Sequence, residues 1–361
     1  MDKVKVALCG TGFVGGIHAK ALMTCPDCDL VAVYTRDKKK GEKFADEFSI
    51  PEAHTDFEKM LTEVDCDAVT LGLPNDLHRD FCIKAAGRGK HVFVEKPLCL
   101  TLEEADEMIE ACRKGGVLLV YGENLCFAPK FARVRRLVEE GALGNVFLIK
   151  QRESHFGPHS PWFWDARRSG GGSFMDMGCH GIEYARWLLG KPKIENVYLS
   201  CGSYVHGGRT QAEDDSVAII TFEGGARAII ENSWAQRGGL DDRVEVFGSE
   251  GVAFADLVHG NAIRTYSEIG YGYAAEKAPG TTGWSSTIYQ EEWLYGYPAE
   301  LSHFVSSCQG VEKPIETGED GRIVLEALFA GYESARTGMA VKLPFKPPRG
   351  KKPIELWKDL K

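Results

Sequence analysis

The run "VKVALCGTGFVGGIHAKAL", residues 4–22, constrains the fold more than any other stretch of this chain. A short, mostly apolar segment ends at Cys9. Gly10, Gly12 and Gly15 follow at once as G-x-G-x-x-G and open a helical pattern. Strand, glycine turn and helix in that order are the first half of a dinucleotide-binding βαβ unit. The glycines make the tight turn, let the backbone approach a pyrophosphate and allow close helix–strand packing. The helix start then offers its N–H groups to the phosphates. Phe13 and Val14 lie between the glycines and are expected around the same cofactor.

The alternation continues to about residue 120. Apolar runs at 30–34, 68–73, 91–95 and 117–121 are separated by amphipathic segments, several ending in glycine. Strands of this kind joined by helices form a doubly wound parallel sheet, and ligands bind beyond the C-terminal strand ends. At those ends stand Thr35 and Arg36, then Pro74, Asn75 and His78, then Glu95 and Lys96 before Pro97. An acid at the end of the second strand reads the ribose of NAD, but this chain has Thr35 there. Arg36 and the following lysines suit a 2′-phosphate. Arg36 equally suits the adenine face, with Asp37 reaching the ribose, so NAD(H) and NADP(H) both stay open.

The rhythm changes near residue 122. Longer strand-like runs broken by "EGG" and "GSEG" turns predict an α+β domain with a large, mainly antiparallel open sheet. The expected domains are 1–122 and 123–361, with a helix near 319–337 packing back on the first. In the second domain "SGGGSFMDMGCHGIEYARWLLG", 169–190, places Asp176 and His180 four residues apart. Local pattern permits two readings: Ser173 as N-cap with Asp176 in a capping box, or an acid–base pair on one helix face.

Composition narrows the class. The formal net charge of −9 argues against nucleic acid or an anionic membrane as partner. No apolar run reaches the length of a bilayer span, and no signal peptide pattern stands at the start, so the cytoplasm is expected. The 11 cysteines are scattered, many within apolar runs, as buried free thiols are. Cys25 and Cys28 form a C-x-x-C without a second ligand pair at suitable spacing, so no metal is expected.

Taken together, the glycine motif, "PNDLH", "GKHVFVEKPL", "EEGALGNV", "GGGSFMDMGCHGIEYARWLLG" and "ETGEDGRIVLEALFAGYESARTG" resemble the glucose–fructose oxidoreductase / inositol dehydrogenase / MocA-type family over nearly the whole chain. The resemblance implies an NAD(P)-dependent oxidoreductase acting on a secondary ring hydroxyl of a sugar, glycoside or cyclic polyol, and the aromatic stretch 266–297 makes C3 oxidation of a glycoside the favoured reaction. It implies Lys96, Asp176 and His180 as the catalytic group, and homo-oligomers formed through the second sheet. The chemistry agrees: a histidine is a suitable base for a hydroxyl proton, and an ammonium stabilises charge on the same oxygen. Asn124, His155, Trp162 and Trp164 join Lys96, Asp176 and His180 as expected substrate contacts. The chain departs from the family at "ENLCFAP", where Cys126 replaces an expected arginine. A non-catalytic dinucleotide-binding regulator of the same fold predicts loss of one of the three chemical positions, and all three are present. The aromatic, glycine-rich stretch 266–297 is read as a platform for a bulky substrate group or a subunit contact.

Overall fold

A computed structural model describes residues 2–259, 263–268, 282–287 and 291–360. The chain divides into two compact units. The first runs up to Phe127 and adds Gly296–Ile323; the second comprises Ala128–Tyr295 and the chain from Val324.

In the first unit β1 (Val4–Cys9), β2 (Cys28–Tyr34), β3 (Glu52–His54), β4 (Ala68–Leu71), β5 (His91–Glu95) and β6 (Leu119–Gly122) form one parallel sheet. Its order is β3-β2-β1-β4-β5-β6, so the winding reverses between β1 and β4. That switch point is where the glycine loop leaves β1. Sequence pattern misses β3 because three partly exposed residues, Glu52, Ala53 and His54, carry no apolar run. A single boundary at residue 122 is also corrected. Leu301, Phe304 and Val305 of the helix Tyr297–Cys308 pack with Val4, Val6, Leu22, Phe93 and Val120, so a late segment completes the first core. Cys25 and Cys28 are buried free thiols in this core, and burial pushes the Cys28 thiol up to about 12. A reactive C-x-x-C pair needs the opposite shift.

In the second unit the strands are β7 (Val146–Ser154), β8 (Ile194–Gly202), β9 (Asp215–Phe222), β10 (Arg227–Ser233), β11 (Asp241–Gly248), β12 (Val252–Asp256), β13 (Ile263–Ser267), β14 (Gly283–Thr287) and β15 (Val341–Lys342). Seven of them form a sheet in the order β12-β11-β7-β10-β9-β8-β15. β10 and β7 pair in parallel and the other pairs are antiparallel, in line with the mainly antiparallel sheet expected. Alternation does the sorting: Ile149, Val197, Leu199, Ala218, Ile220, Ile230, Val244 and Val246 are buried on the inner face. The helix Cys179–Leu188 lies on that face, with Gly181 against Ile230 and Gln151. Tyr198, Val217, Ile219, Val252 and Phe254 point the other way and are exposed. β13 and β14 form a separate antiparallel pair. Much of the aromatic stretch 266–297, expected as a substrate platform or subunit contact, lies outside the described residues. Among the described residues no helix is long and apolar enough to cross a membrane.

Candidate active site

The glycine loop of the first unit is shaped by close backbone approach. Gly10 adopts φ +109°, and a Cβ there would fall 2.3 Å from the Gly72 carbonyl oxygen, just beyond β4. Gly12 differs: nothing lies within 4 Å of where its Cβ would point, so open space faces the helix start. The helix Phe13–Met23 begins after Gly12 with no side-chain cap and no acid in its first turn. A helix start of this kind, with no acid in its first turn, fits the pyrophosphate of a dinucleotide. Phe13, Val14 and Gly15 form the first turn of that helix. Beside it, the Thr11 hydroxyl donates to Thr35 Oγ1 at 3.2 Å, while Arg36 is exposed. Asp37 accepts from Lys40 N at 3.2 Å and caps the helix Lys38–Phe48.

Two residues expected at the cofactor are also tied to the protein. His78 is fully buried, with Nε2 2.8 Å from the Leu73 carbonyl oxygen and Nδ1 3.1 Å from that of Pro97. It ties the loop after β4 to the loop after β5. Burial holds its pKa below the ordinary histidine value, against the pull of those carbonyls. Glu95 is nearly buried as well: Oε1 lies 2.8 Å from His18 Nε2, and Oε2 accepts from Lys96 N at 3.2 Å. His18 and Glu95 thus brace the backbone that presents Lys96, just before the cis Lys96–Pro97 bond. Pro74 stands at the entry of the short turn Asn75–Leu77, where Asn75 is buried. Asn124 is buried at the end of β6, and the Cys126 thiol lies 3.7 Å from Glu316 Oε1.

In the second unit the three-glycine stretch serves packing. A Cβ on Gly172 would fall 1.8 Å from the Glu213 carbonyl oxygen, and one on Gly171 2.1 Å from the Tyr332 hydroxyl. The Glu213 carboxylate accepts from Gly172 N at 3.0 Å, Phe174 N at 2.9 Å and the Tyr332 hydroxyl at 2.8 Å. Glu213, from a distant loop, therefore anchors the start of the site helix. The expected Ser173 cap is corrected: Ser173 is already helical, and its buried hydroxyl makes no cap bond. The helix is not a regular α-helix at this point either. Phe174–Gly178 form a π-helical turn before the α-helix begins at Cys179, so Asp176 and His180 straddle a change of pitch.

Asp176 and His180 are both buried, at 2% and 4% exposure. The indole Nε1 of Trp234 donates to Asp176 Oδ2 at 3.1 Å. His155 is buried, and its Nδ1 lies 2.7 Å from the Gly157 carbonyl oxygen. That contact keeps a proton on Nδ1, so in the neutral ring Nε2 carries the lone pair. Trp162 stacks on Phe163 with centroids 3.8 Å apart. Trp164 carries the Arg209 guanidinium 4.3 Å above its ring and meets Trp234 edge-on, so it belongs to an aromatic cluster. Sequence reasoning missed His18, Glu213, Trp234 and Tyr332. Glu213 sits in "AEDDS", which reads as a solvated acidic turn, and Trp234 follows a strand without any periodic signal.

Comparison with known proteins matches residues 4–123 to "Oxidoreductase family, NAD-binding Rossmann fold" and residues 131–254 to "GFO/IDH/MocA C-terminal domain". The chain belongs to the Gfo/Idh/MocA oxidoreductase family. Its first unit is thereby an NAD-binding Rossmann domain. Among its relatives is a myo-inositol 2-dehydrogenase of Thermotoga maritima, 30% identical, with 94% of this chain and 98% of that protein covered. A D-glucoside 3-dehydrogenase of Escherichia coli is 26% identical, covering 94% of this chain and 97% of that protein. Among solved structures, GenD2 from gentamicin A biosynthesis, in complex with NAD, is 32% identical with a TM-score of 0.89 over 96% of this chain and 97% of that one.

Proposed function

We propose that this family member oxidises a secondary ring hydroxyl of a sugar, glycoside or cyclic polyol, with NAD as acceptor, and that a glycoside oxidised at C3 is its substrate. The observation that carries the reading is the retained chemistry. A lysine braced at a Rossmann strand end and an Asp176/His180 pair on an anchored helix match the family's three catalytic positions. The inositol and glucoside dehydrogenases among its relatives supply the substrate class. When bound, the nicotinamide ring supplies the hydride acceptor.

The protein's own residues handle the proton. His180 takes the hydroxyl proton, and the Lys96 ammonium donates to the same oxygen as negative charge builds on it. Asp176 orients its neighbours. His155 and Trp162 supply a polar and an apolar contact for the ring. A screen of glycosides, inositols and free sugars for nicotinamide reduction, run with NAD and NADP, tests the reading. Turnover is expected with a pyranoside and NAD, giving a 3-keto product by NMR. Turnover confined to inositols would move the substrate to the cyclic polyols.

The same reading makes the protein a homo-oligomer paired through the outer sheet face. Tyr198 stands opposite Ile219 across β8 and β9, and Val252 opposite Phe247 across β12 and β11, so two apolar patches flank the Lys150–Glu245 and Arg152–Glu231 ion pairs. Exposed apolar patches rimmed by polar residues mark interaction surfaces. Phe254→Lys is expected to shift the light-scattering mass toward the monomer. An unchanged assembly would place the interface elsewhere.

A further inference from the structure

Indole has a single N–H and no acceptor, so a buried tryptophan must find one acceptor for it. Trp234 is 0% exposed, and its N–H goes to a carboxylate oxygen of Asp176 at 3.1 Å. A hydrogen bond to an ionised acceptor is about twice as strong as a neutral one. Its geometry is fixed from several sides. Trp234 N donates to the Asp214 carbonyl at 2.7 Å, and the Trp234 carbonyl accepts from Gly157 N at 2.8 Å and faces His206 Nε2 at 3.0 Å. Phe163 meets the ring edge-on at 81°, Trp164 packs at 68°, and Met177 shares the cluster. The indole cannot turn without breaking this packing.

We infer that Trp234 is a positioning residue whose indole N–H fixes the orientation of the Asp176 side chain for the reaction. The inference rests on the proposed dehydrogenase reading for its kinetic part only. Asp176 lies on a π-helical turn, a feature frequent at functional sites. A fixed donor from the sheet side holds one oxygen of its carboxyl group in place.

The test uses the full-length protein and two kinds of readout. In the first, the indole N–H signals of 15N-tryptophan-labelled protein are recorded for the wild type and for Asp176→Asn, with Trp234 assigned by its loss in Trp234→Phe. The Trp234 signal is expected to move by several tenths of a ppm in Asp176→Asn while the other six tryptophans stay in place. This readout needs no substrate, so it stands even if the substrate reading fails. In the second, Trp234→Phe, which keeps the ring but lacks the donor, is expected to lower kcat by about 10–100-fold. KM should stay within about threefold, and adding Trp234→Phe to Asp176→Asn should cost less than about twofold more. An unmoved indole signal in Asp176→Asn would overturn the inference. So would a fully additive double variant, since Trp234 would then serve packing alone.

Discussion

Lys96→Met and His180→Ala are each expected to lower kcat by about a thousandfold or more, with NADH affinity within about threefold of wild type. The expected loss follows from the proposed mechanism. In it, His180 is the base for the hydroxyl, and Lys96 is the donor to the charge that builds as hydride departs. Binding should survive because the proposed pyrophosphate site lies elsewhere, at the turn of Gly10, the open backbone at Gly12 and the start of the helix Phe13–Met23. Methionine keeps most of the lysine chain's length and bulk, so the brace of Lys96 N on Glu95 and of Glu95 on His18 remains. Turnover on the best substrate and NADH fluorescence titration, run side by side, separate chemistry from binding. Wild-type turnover in either variant would remove that residue from the mechanism. Loss of both activity and NADH binding would make Lys96 a cofactor residue first.

The parts of the molecule legible in the sequence are those governed by short-range pattern. A run such as 4–9 followed by glycines yields strand, turn and helix because each step is decided within a few residues. The alternation of buried and exposed positions from Asp215 to Phe222 is equally local. What the pattern could not supply were partners brought together across the chain. Glu213 caps a helix start about 40 residues before it, and Trp234 lies 58 residues from the carboxylate it serves. His78 stands at a strand end where ligands are expected. It also meets three carbonyls, from Leu73, Pro97 and Leu98, that no spacing rule connects to it. Asp176 shows both sides of this. Its register with His180 is visible in the sequence, whereas the π-helical turn beneath it depends on Glu213, Tyr332 and the glycines that admit them.

That dependence makes Gly172→Ala the substitution with the largest expected structural cost. The new methyl would lie 1.8 Å from a backbone oxygen of Glu213, where neither partner is a flexible side-chain end. Relief requires the loop to retreat, which breaks the bonds from Gly172 N and Phe174 N to the Glu213 carboxylate. The expected destabilisation is about 3 kcal/mol or more, read as a fall in Tm. An unchanged Tm would mean the two loops are not in contact in solution. The anchor also carries a pH signature. Glu213 is fully buried, and loss of hydration raises its pKa from 4.5 to about 7 despite the donors it accepts. Below pH 4.5 folded and unfolded chains both hold the proton. Between pH 4.5 and about 7 the unfolded chain has released it while the folded chain retains it, so stability declines as pH rises through that window and levels off above it. The contribution is about 3 kcal/mol across the window. Glu213→Gln keeps the shape and removes the titration, so the slope of Tm against pH between 5 and 7 should flatten relative to wild type. An equal slope in the two proteins would assign it to another group. Gly172→Ala, with the loop displaced and Glu213 open to water, should lose the slope together with the stability.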